Sequence, residues 1–487
     1  MKCKLDKLEI PADQPFKNCK LDREKYAEIL KTIIITYQKG FVLAINGRWG
    51  TGKTTFVEMW KAYLELDGLR TLYFNAWEND FISDPLIGLL GELKKMNPQE
   101  KAEKALESVI NTAGKIVLKA APAMFKGIIK RYADEEVVDI IYDGIEEGAS
   151  MLKKEIENYE NQKRSLGEFR KELEKYVNEF CEKKPLIFII DELDRCNPHY
   201  AVKTLERIKH LFNIPNIVFV LSIDKEQLSN SVRGYYGSDL INADEYLKRF
   251  IDIEYTLPDP NVDSFSKYLY DYYDFNTIFY RIQDQIPPNS LGSRDDLLST
   301  TKTIFKYKKL TLRQIEKIFT NARLSLNIFI NENNIYPDLI YLLCYLRICE
   351  SDCYEKIIHE EYTPQELLNQ IEEIFPKETF YLEPAGYRNE RFYYTIALLL
   401  KSYTTIFGEE RYNNIVYYSG NLPITTLKVK NMNEKIFIEA LEWADVQPSI
   451  RFLEYLPLKL IYWIIFKFDS YFKKKNIIQT NPISLLL

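Results

Sequence analysis

The stretch Phe41–Trp60, FVLAINGRWGTGKTTFVEMW, constrains this chain more than any other. Phe41 to Ile45 are apolar and partly β-branched, the composition of a strand buried on both faces. The next eight residues, Gly47-Arg48-Trp49-Gly50-Thr51-Gly52-Lys53-Thr54, fit G-x-x-x-x-G-K-[ST] without departure. Helix-compatible sequence follows from Thr55. Glycines let the backbone turn back and aim its N–H groups at phosphate oxygens. The helix that follows adds the positive end of its dipole. Gly47, Gly50, Thr51, Gly52, Lys53, Thr54 and Thr55 are therefore the expected nucleotide-binding residues. Lys53 is placed for the β and γ phosphates, and the Thr54 hydroxyl for Mg²⁺.

Leu186 to Ile190 (LIFII) repeats the pattern of an apolar strand, and it ends in Asp191-Glu192. An acid at that strand end would hold Mg²⁺, directly or through water, which is the expected role of Asp191. Glu192 beside it is the expected general base for the water that attacks a γ-phosphate. The two elements together predict Mg²⁺-dependent ATP binding and hydrolysis at the β–γ phosphoanhydride.

Three further strands are expected at Thr71–Ala76, Asn216–Ile223 and Ile251–Leu257. Alternating with helical sequence, they predict an α/β fold: a parallel sheet with helices on both faces. Leu21 to Gln38 reads as a helix with Tyr26, Ile29, Leu30 and Ile33 on one face. Residues 85–180 read as a helical insert. Lys115, Lys119 and Lys126 fall among its apolar residues Val109, Ile110, Ile116, Val117, Ile128 and Ile129, with Pro122 as a break. That admits a helix on a membrane surface, but an amphipathic helix packed on a core is the ordinary reading. Beyond Pro260 the strand signals fade and the pattern predicts an all-α C-terminal half. The expected organisation is an N-terminal segment at 1–24, a nucleotide-binding domain at 25–260, a helical lid at 261–345 and a helical C-terminal domain at 346–487.

With 487 residues the chain has room for two or three domains. A net charge of −6 argues against a globally basic nucleic-acid binder and leaves local patches open. Three histidines leave little scope for His-based metal or acid–base chemistry. Seven cysteines and no signal-like apolar run after the charged start predict free thiols in the cytoplasm. No apolar run reaches the length of a transmembrane helix. Cys344, Cys349, Cys353 and His359 are spaced more widely than zinc pairs and read as buried or half-buried thiols. Leu460–Phe466 (LIYWIIF) is too short to span a bilayer and reads as a buried helix segment, or else a docking patch. Lys306, Lys308 and Lys309, and Lys473 to Lys475, are short basic runs, ordinarily solvated faces but able to touch phosphate backbones.

Four runs taken together resemble the KAP family of P-loop NTPases, relatives of AAA+ and STAND ATPases. They are the Gly-x-Trp-Gly-x-Gly-Lys-Thr loop, Phe74-Asn75-Ala76-Trp77, Asp191-Glu192-Leu193-Asp194-Arg195-Cys196 and Tyr246-Leu247-Lys248-Arg249. The resemblance spans roughly residues 15–260 and continues more weakly to 330. The family usually has Asp-Asp where this chain has Asp191-Glu192, and often Tyr-Leu-Glu-Lys where it has Tyr-Leu-Lys-Arg. Many members carry transmembrane helices in the insert, which this sequence lacks.

The resemblance assigns further roles. Asn75 would neighbour Glu192 in an AAA-like strand order and hold it by a hydrogen bond until a ligand releases it; a turn-forming Asn is the plain alternative. Asp224 or Ser222 would sense the γ-phosphate from the fourth strand. Arg313, in LTLRQIEKIF, would be a lid arginine closing over nucleotide, or else a solvated helix residue. Lys248 and Arg249 stand where AAA-type ATPases carry an arginine that reaches a neighbour's γ-phosphate. That role implies a homo-oligomer, the alternative being a solvated basic pair. Family members are mostly bacterial and often associated with defence against phage or mobile elements. Two functional readings follow: an ATP-driven switch or assembly, or a nucleotide-gated module with little hydrolysis. The second would recognise nucleic acid or a protein partner through the C-terminal half.

Overall fold

The computed structural model describes residues 6–37, 40–82, 84–96, 100–118, 149–182, 184–209, 214–283, 294–306, 308–328, 335–380, 390–406, 416–419 and 422–445. The chain forms two compact units, one spanning Leu5–Asp259 and the other built from Pro260 onward.

The first unit is a five-stranded, wholly parallel sheet. Its strands are β1 (Phe41–Asn46), β2 (Arg70–Asn75), β3 (Leu186–Asp191), β4 (Ile217–Ile223) and β5 (Ile253–Thr256), in the order β2-β3-β4-β1-β5. Side chains alternate between the two faces. Phe41, Leu43, Ile45, Ile187, Ile189, Val218 and Val220 meet helices α1 (Glu24–Thr36) and α2 (Lys53–Leu66). Val42, Ala44, Leu72, Phe74, Phe188, Ile190, Phe219 and Leu221 meet the helices on the other face: α3 (Pro85–Lys94), α4 (Glu100–Leu118), α5 (Ala149–Phe180), α6 (Pro198–Lys209), α7 (Lys225–Tyr236) and α8 (Ala243–Leu247). With both faces covered, β1, β3 and β4 read as unbroken apolar runs. Each fully buried aliphatic or aromatic side chain there contributes about 1.5–3 kcal/mol. Parallel strands end at one edge, where Asn75 pairs in register with Asp191 and Asp191 with Ser222.

Local details differ from the sequence expectation. On α1 the buried stripe is Ala27, Leu30 and Ile34, while Ile29 is 47% exposed. The buried stripe packs in one cluster with Trp60, whose indole N–H donates to the Ala27 carbonyl at 3.1 Å, and Ile29 lies outside that cluster. Where the insert is described it is helical, and α4 turns Val109 and Ile110 into the core, as an ordinary amphipathic helix does. The Lys115 side chain, Lys119, Pro122, Lys126, Ile128 and Ile129 lie outside the described residues.

The second unit holds α9 (Val262–Tyr272), α10 (Phe275–Ile282), α11 (Arg294–Lys306), α12 (Leu312–Ile328), α13 (Pro337–Cys349), α14 (Ser351–Ile358), α15 (Pro364–Ile374), α16 (Glu390–Ile406) and α17 (Glu434–Asp445). Among the described residues an antiparallel hairpin of β6 (Val416–Ser419) and β7 (Leu422–Thr425) departs from the all-helical expectation. The boundary drawn at 345/346 falls inside α13. Pro337 through Leu346 are all buried, and no breaker interrupts them. Burial pushes the Cys344 thiol up to about 12 and the Cys353 thiol up to about 11, while His359 lies 3.6 Å from Glu355. Among the described residues there is no cluster of metal ligands, and no helix is long and apolar enough to cross a membrane. Lys308 pairs with Glu350 at 3.2 Å. The Lys306 side chain, Leu460–Phe466 and Lys473–Lys475 lie outside the described residues.

Candidate functional site

The loop between β1 and α2 is built on left-handed glycines: φ is +76° at Gly50 and +83° at Gly52. A side chain at either would be strained. Gly47 sits close under the loop: a Cβ there would stand 3.3 Å from Lys53 Cδ and from Thr51 Oγ1, so those side chains would have to give by a few tenths of an ångström. Gly52 is the N-cap of α2, and no side chain caps the helix from it. The first amides of α2 therefore keep donors for an external acceptor. The Lys53 amine is buried and donates to the Gly47 carbonyl at 2.5 Å and the Arg48 carbonyl at 3.2 Å. Burial draws its pKa down, against the opposing pull of Asp194, Asp224 and Asp191.

Two acids brace the loop from outside. Asp224, at the end of β4, accepts from the Trp49 amide at 3.0 Å and caps α7 through Gln227 N. Asp194 accepts from the Trp49 indole N–H at 2.5 Å. Burial raises the Asp194 pKa, with Lys53 and Trp49 acting the other way. A third brace comes from Arg23, just ahead of α1. The residue is 3% exposed, and its guanidinium donates to the Thr51 carbonyl at 2.7 Å and the Gly52 carbonyl at 3.0 Å.

The acids after β3 sit at the same edge of the sheet. Asp191 is 1% exposed, with both oxygens held: the Tyr73 hydroxyl donates to Oδ2 at 3.0 Å and the Glu192 amide to Oδ1 at 3.0 Å. Glu192 has left-handed backbone, φ +60°, which costs a non-glycine residue on the order of 1–3 kcal/mol. Its carboxylate is gripped from two sides, by Asn75 Nδ2 at 3.3 Å and by Arg195 at 2.7 Å. Arg195 in turn lies over the Trp77 ring at 5.6 Å. Burial raises the Glu192 pKa, and Arg195 and Asn75 restrain the rise.

The structure thus brings the loop residues, Asn75, Asp191, Glu192 and Asp224 to one edge. Asn75 also serves as a turn residue: its Oδ1 accepts from Glu78 N at 3.2 Å while its Nδ2 donates to Glu192. Ser222 is fully buried beside Asp191, and among the described residues its hydroxyl has no partner. Arg249 is exposed on the turn between α8 and β5, and Lys248 pairs with Glu245 at 2.5 Å. Strands run from that end towards the loop, so Arg249 stands at the opposite edge of the sheet from its own loop. Arg313 is exposed at the start of α12, in the second unit. Sequence reasoning missed Arg23, Tyr73 and the bracing of Trp49, which depend on tertiary burial.

The donor set suits a hard divalent cation. Asp191, Glu192, Asp194 and Asp224 are four acids set among the bases Lys53, Arg195 and Arg23. Asp191 presents prealigned carboxylate oxygens, and Thr54 is half-buried in the first turn of α2. Oxygen ligands of this kind are what Mg²⁺ takes.

Residues 23–328 match the family model described as the KAP family P-loop domain. The chain belongs to the KAP family. Its matched region begins at Arg23 and takes in the whole sheet and the first helices of the second unit. Among curated proteins none matches this chain. Among solved structures, the ORC2 protein of Aeropyrum pernix, titled as ADPNP-ADP complexes, is 13% identical to it, with 88% of this chain and 95% of that chain covered at a TM-score of 0.32. A superposition that loose carries no structural argument.

Proposed function

We propose that this KAP protein binds ATP with Mg²⁺ and hydrolyses it as a nucleotide-driven switch. The observation that carries the reading is the shared edge: uncapped amides of α2, the buried Lys53 amine, and the fixed Asp191 and Glu192 carboxylates. The loop amides and Lys53 bind the phosphates, Lys53 exchanging its carbonyl partners for phosphate oxygens. Thr54 and Asp191 would hold Mg²⁺, which when bound draws charge from the phosphate oxygens. Glu192 takes the proton of the attacking water. Before it can do so it must leave Arg195 and Asn75, so basal turnover is slow and a ligand that shifts this grip sets the rate. That grip also supports the second reading, a nucleotide-gated module with little hydrolysis that takes a protein or nucleic-acid partner through the C-terminal half.

Arg249, exposed and remote from its own loop, supports an oligomer in which it serves a neighbour's nucleotide. The second unit, with Arg313 on α12, is the proposed lid followed by the C-terminal domain. We carry over from the family the setting of this cycle, bacterial defence against phage or mobile elements, and place it in the cytoplasm, which the free thiols suit. The test is phosphate release from Mg-ATP by the purified chain, with and without EDTA, DNA and RNA, beside Lys53→Ala. Turnover that needs Mg²⁺ and Lys53 is expected, and stimulation by a nucleic acid would name the ligand. ATP affinity unchanged in Lys53→Ala would remove the reading.

A further inference from the structure

We propose that Arg23 is a positioning residue that sets the phosphate-binding loop by fixing two of its peptide planes. This inference rests on the nucleotide reading of the site. Peptide units are planar and trans, so the carbonyl of one residue and the N–H of the next point in opposite directions. The Arg23 guanidinium holds the carbonyls of Thr51 and Gly52 at 2.7 and 3.0 Å. The N–H groups of Gly52 and Lys53 are therefore aimed away from Arg23, on the side an anion must occupy. The Gly52 carbonyl also accepts the first bond of α2, from Phe56 N at 3.1 Å, so the same side chain ties the loop to the helix start.

Arginine suits this task. Its planar fork reaches two acceptors at once, which a lysine ammonium on its flexible stem does not do with fixed geometry. Its burial among main-chain dipoles has a second effect. Among the described residues no carboxylate forms an ion pair with Arg23. A cation behind the loop polarises the two peptide units it grips, and that strengthens their N–H groups as donors. The loop itself is glycine-rich, with left-handed residues at Gly50 and Gly52, and glycine backbone is the costliest to order. Arg23 supplies that order before any ligand arrives.

Arg23→Met removes the fork and keeps much of the stem. Titration calorimetry with ATP, ADP and inorganic pyrophosphate should show affinities weaker by about tenfold or more for all three. Hydrogen exchange of a peptide covering residues 50–54 in the nucleotide-free protein should speed up. ATP affinity within twofold of wild type, or unchanged exchange in that peptide, would overturn the inference. A purely structural role would lower the melting temperature while the folded fraction bound ATP normally, and an adenine contact would spare pyrophosphate; either result also overturns it. If Arg23→Met does not fold, Arg23→Lys keeps the charge and one bond, and should lose ATP affinity by several-fold with faster loop exchange. A wild-type protein that binds no ATP, or binding unaffected by Lys53→Ala, would sink the nucleotide reading, while the exchange measurement would still report on Arg23.

Discussion

Arg195 and Glu192 form an ion pair of 2.7 Å, and the Arg195 guanidinium is seated over the Trp77 ring. The carboxylate proposed as the general base is thus tethered by a cation on its own turn of chain. Glu192 has its pKa raised by burial, and Arg195 is the largest influence opposing that rise. A general base works deprotonated, so activity falls as pH drops through its pKa. Arg195→Gln removes the opposing charge and lifts the pKa further. The acidic limb of the pH profile for phosphate release should therefore move to higher pH. A limb that stays in place would mean that some other group titrates.

Much of this site was legible from local sequence. β1, the loop and the start of α2 follow from apolar run, glycine spacing and Lys53-Thr54, and the β3 acids follow from a strand ending in Asp191-Glu192. The contact of Asn75 with Glu192 needs β2 to lie beside β3, a fact of strand order that no local pattern contains. Arg23 was not legible at all. In a polar stretch before a helix it resembles any surface arginine, and its role arises only when folding buries it against the loop. The face of α1 was misread for a related reason, since Ile29 and Ile34 are equally apolar and only packing on Trp60 decides between them.

Glu192→Gln should bind ATP and turn it over at least about a hundredfold more slowly, the usual scale for losing a general base. Glutamine keeps the shape of the side chain and its contact with Asn75, so binding is a fair control. Near-normal phosphate release would move the base elsewhere, with Asp194, buried beside Trp49, the next candidate.

Gly88, inside α3, has no room for a methyl group. A Cβ there would stand 2.7 and 2.8 Å from ring atoms of Phe74, itself 1% exposed. Gly88→Ala should destabilise the first unit by about 1–3 kcal/mol, the range for overpacking a filled core. Combining it with Phe74→Leu should recover part of the loss. An unchanged urea midpoint for the single variant would show that α3 shifts off the sheet at no cost.

Asp338 is buried on α13, and burial pushes its carboxyl up to about 7 from the ordinary 3.8, with the Thr300 hydroxyl acting the other way. The folded pKa is raised, so the folded state binds the proton over a range where the unfolded chain has lost it. Stability from this group is full below the ordinary value and is lost as pH rises to the folded one, at about 1.4 kcal/mol per pH unit. Asp338→Asn has no charge to bury. It should unfold at higher temperature than wild type at pH 8, with the gap narrowing towards pH 4. A gap independent of pH would place the charge elsewhere.

Arg249 is exposed at the entry end of β5, the far edge of the sheet from the loop of its own chain. From there it cannot act on a nucleotide held at the loop of its own chain. A planar, permanent charge offered to a neighbour's site would stabilise the negative charge that spreads over the γ-phosphate during transfer. Arg249→Ala should then bind ATP normally and lose turnover on the order of a thousandfold, the lower end of what such an arginine supplies. Lys53→Ala should bind ATP weakly, on the proposed role of Lys53, but keeps Arg249. Mixing the two inactive proteins should restore some phosphate release, because one subunit contributes the loop and the other the arginine. Two results together would end this proposal: a monomer by native mass measurement in the presence of ATP, and wild-type turnover by Arg249→Ala.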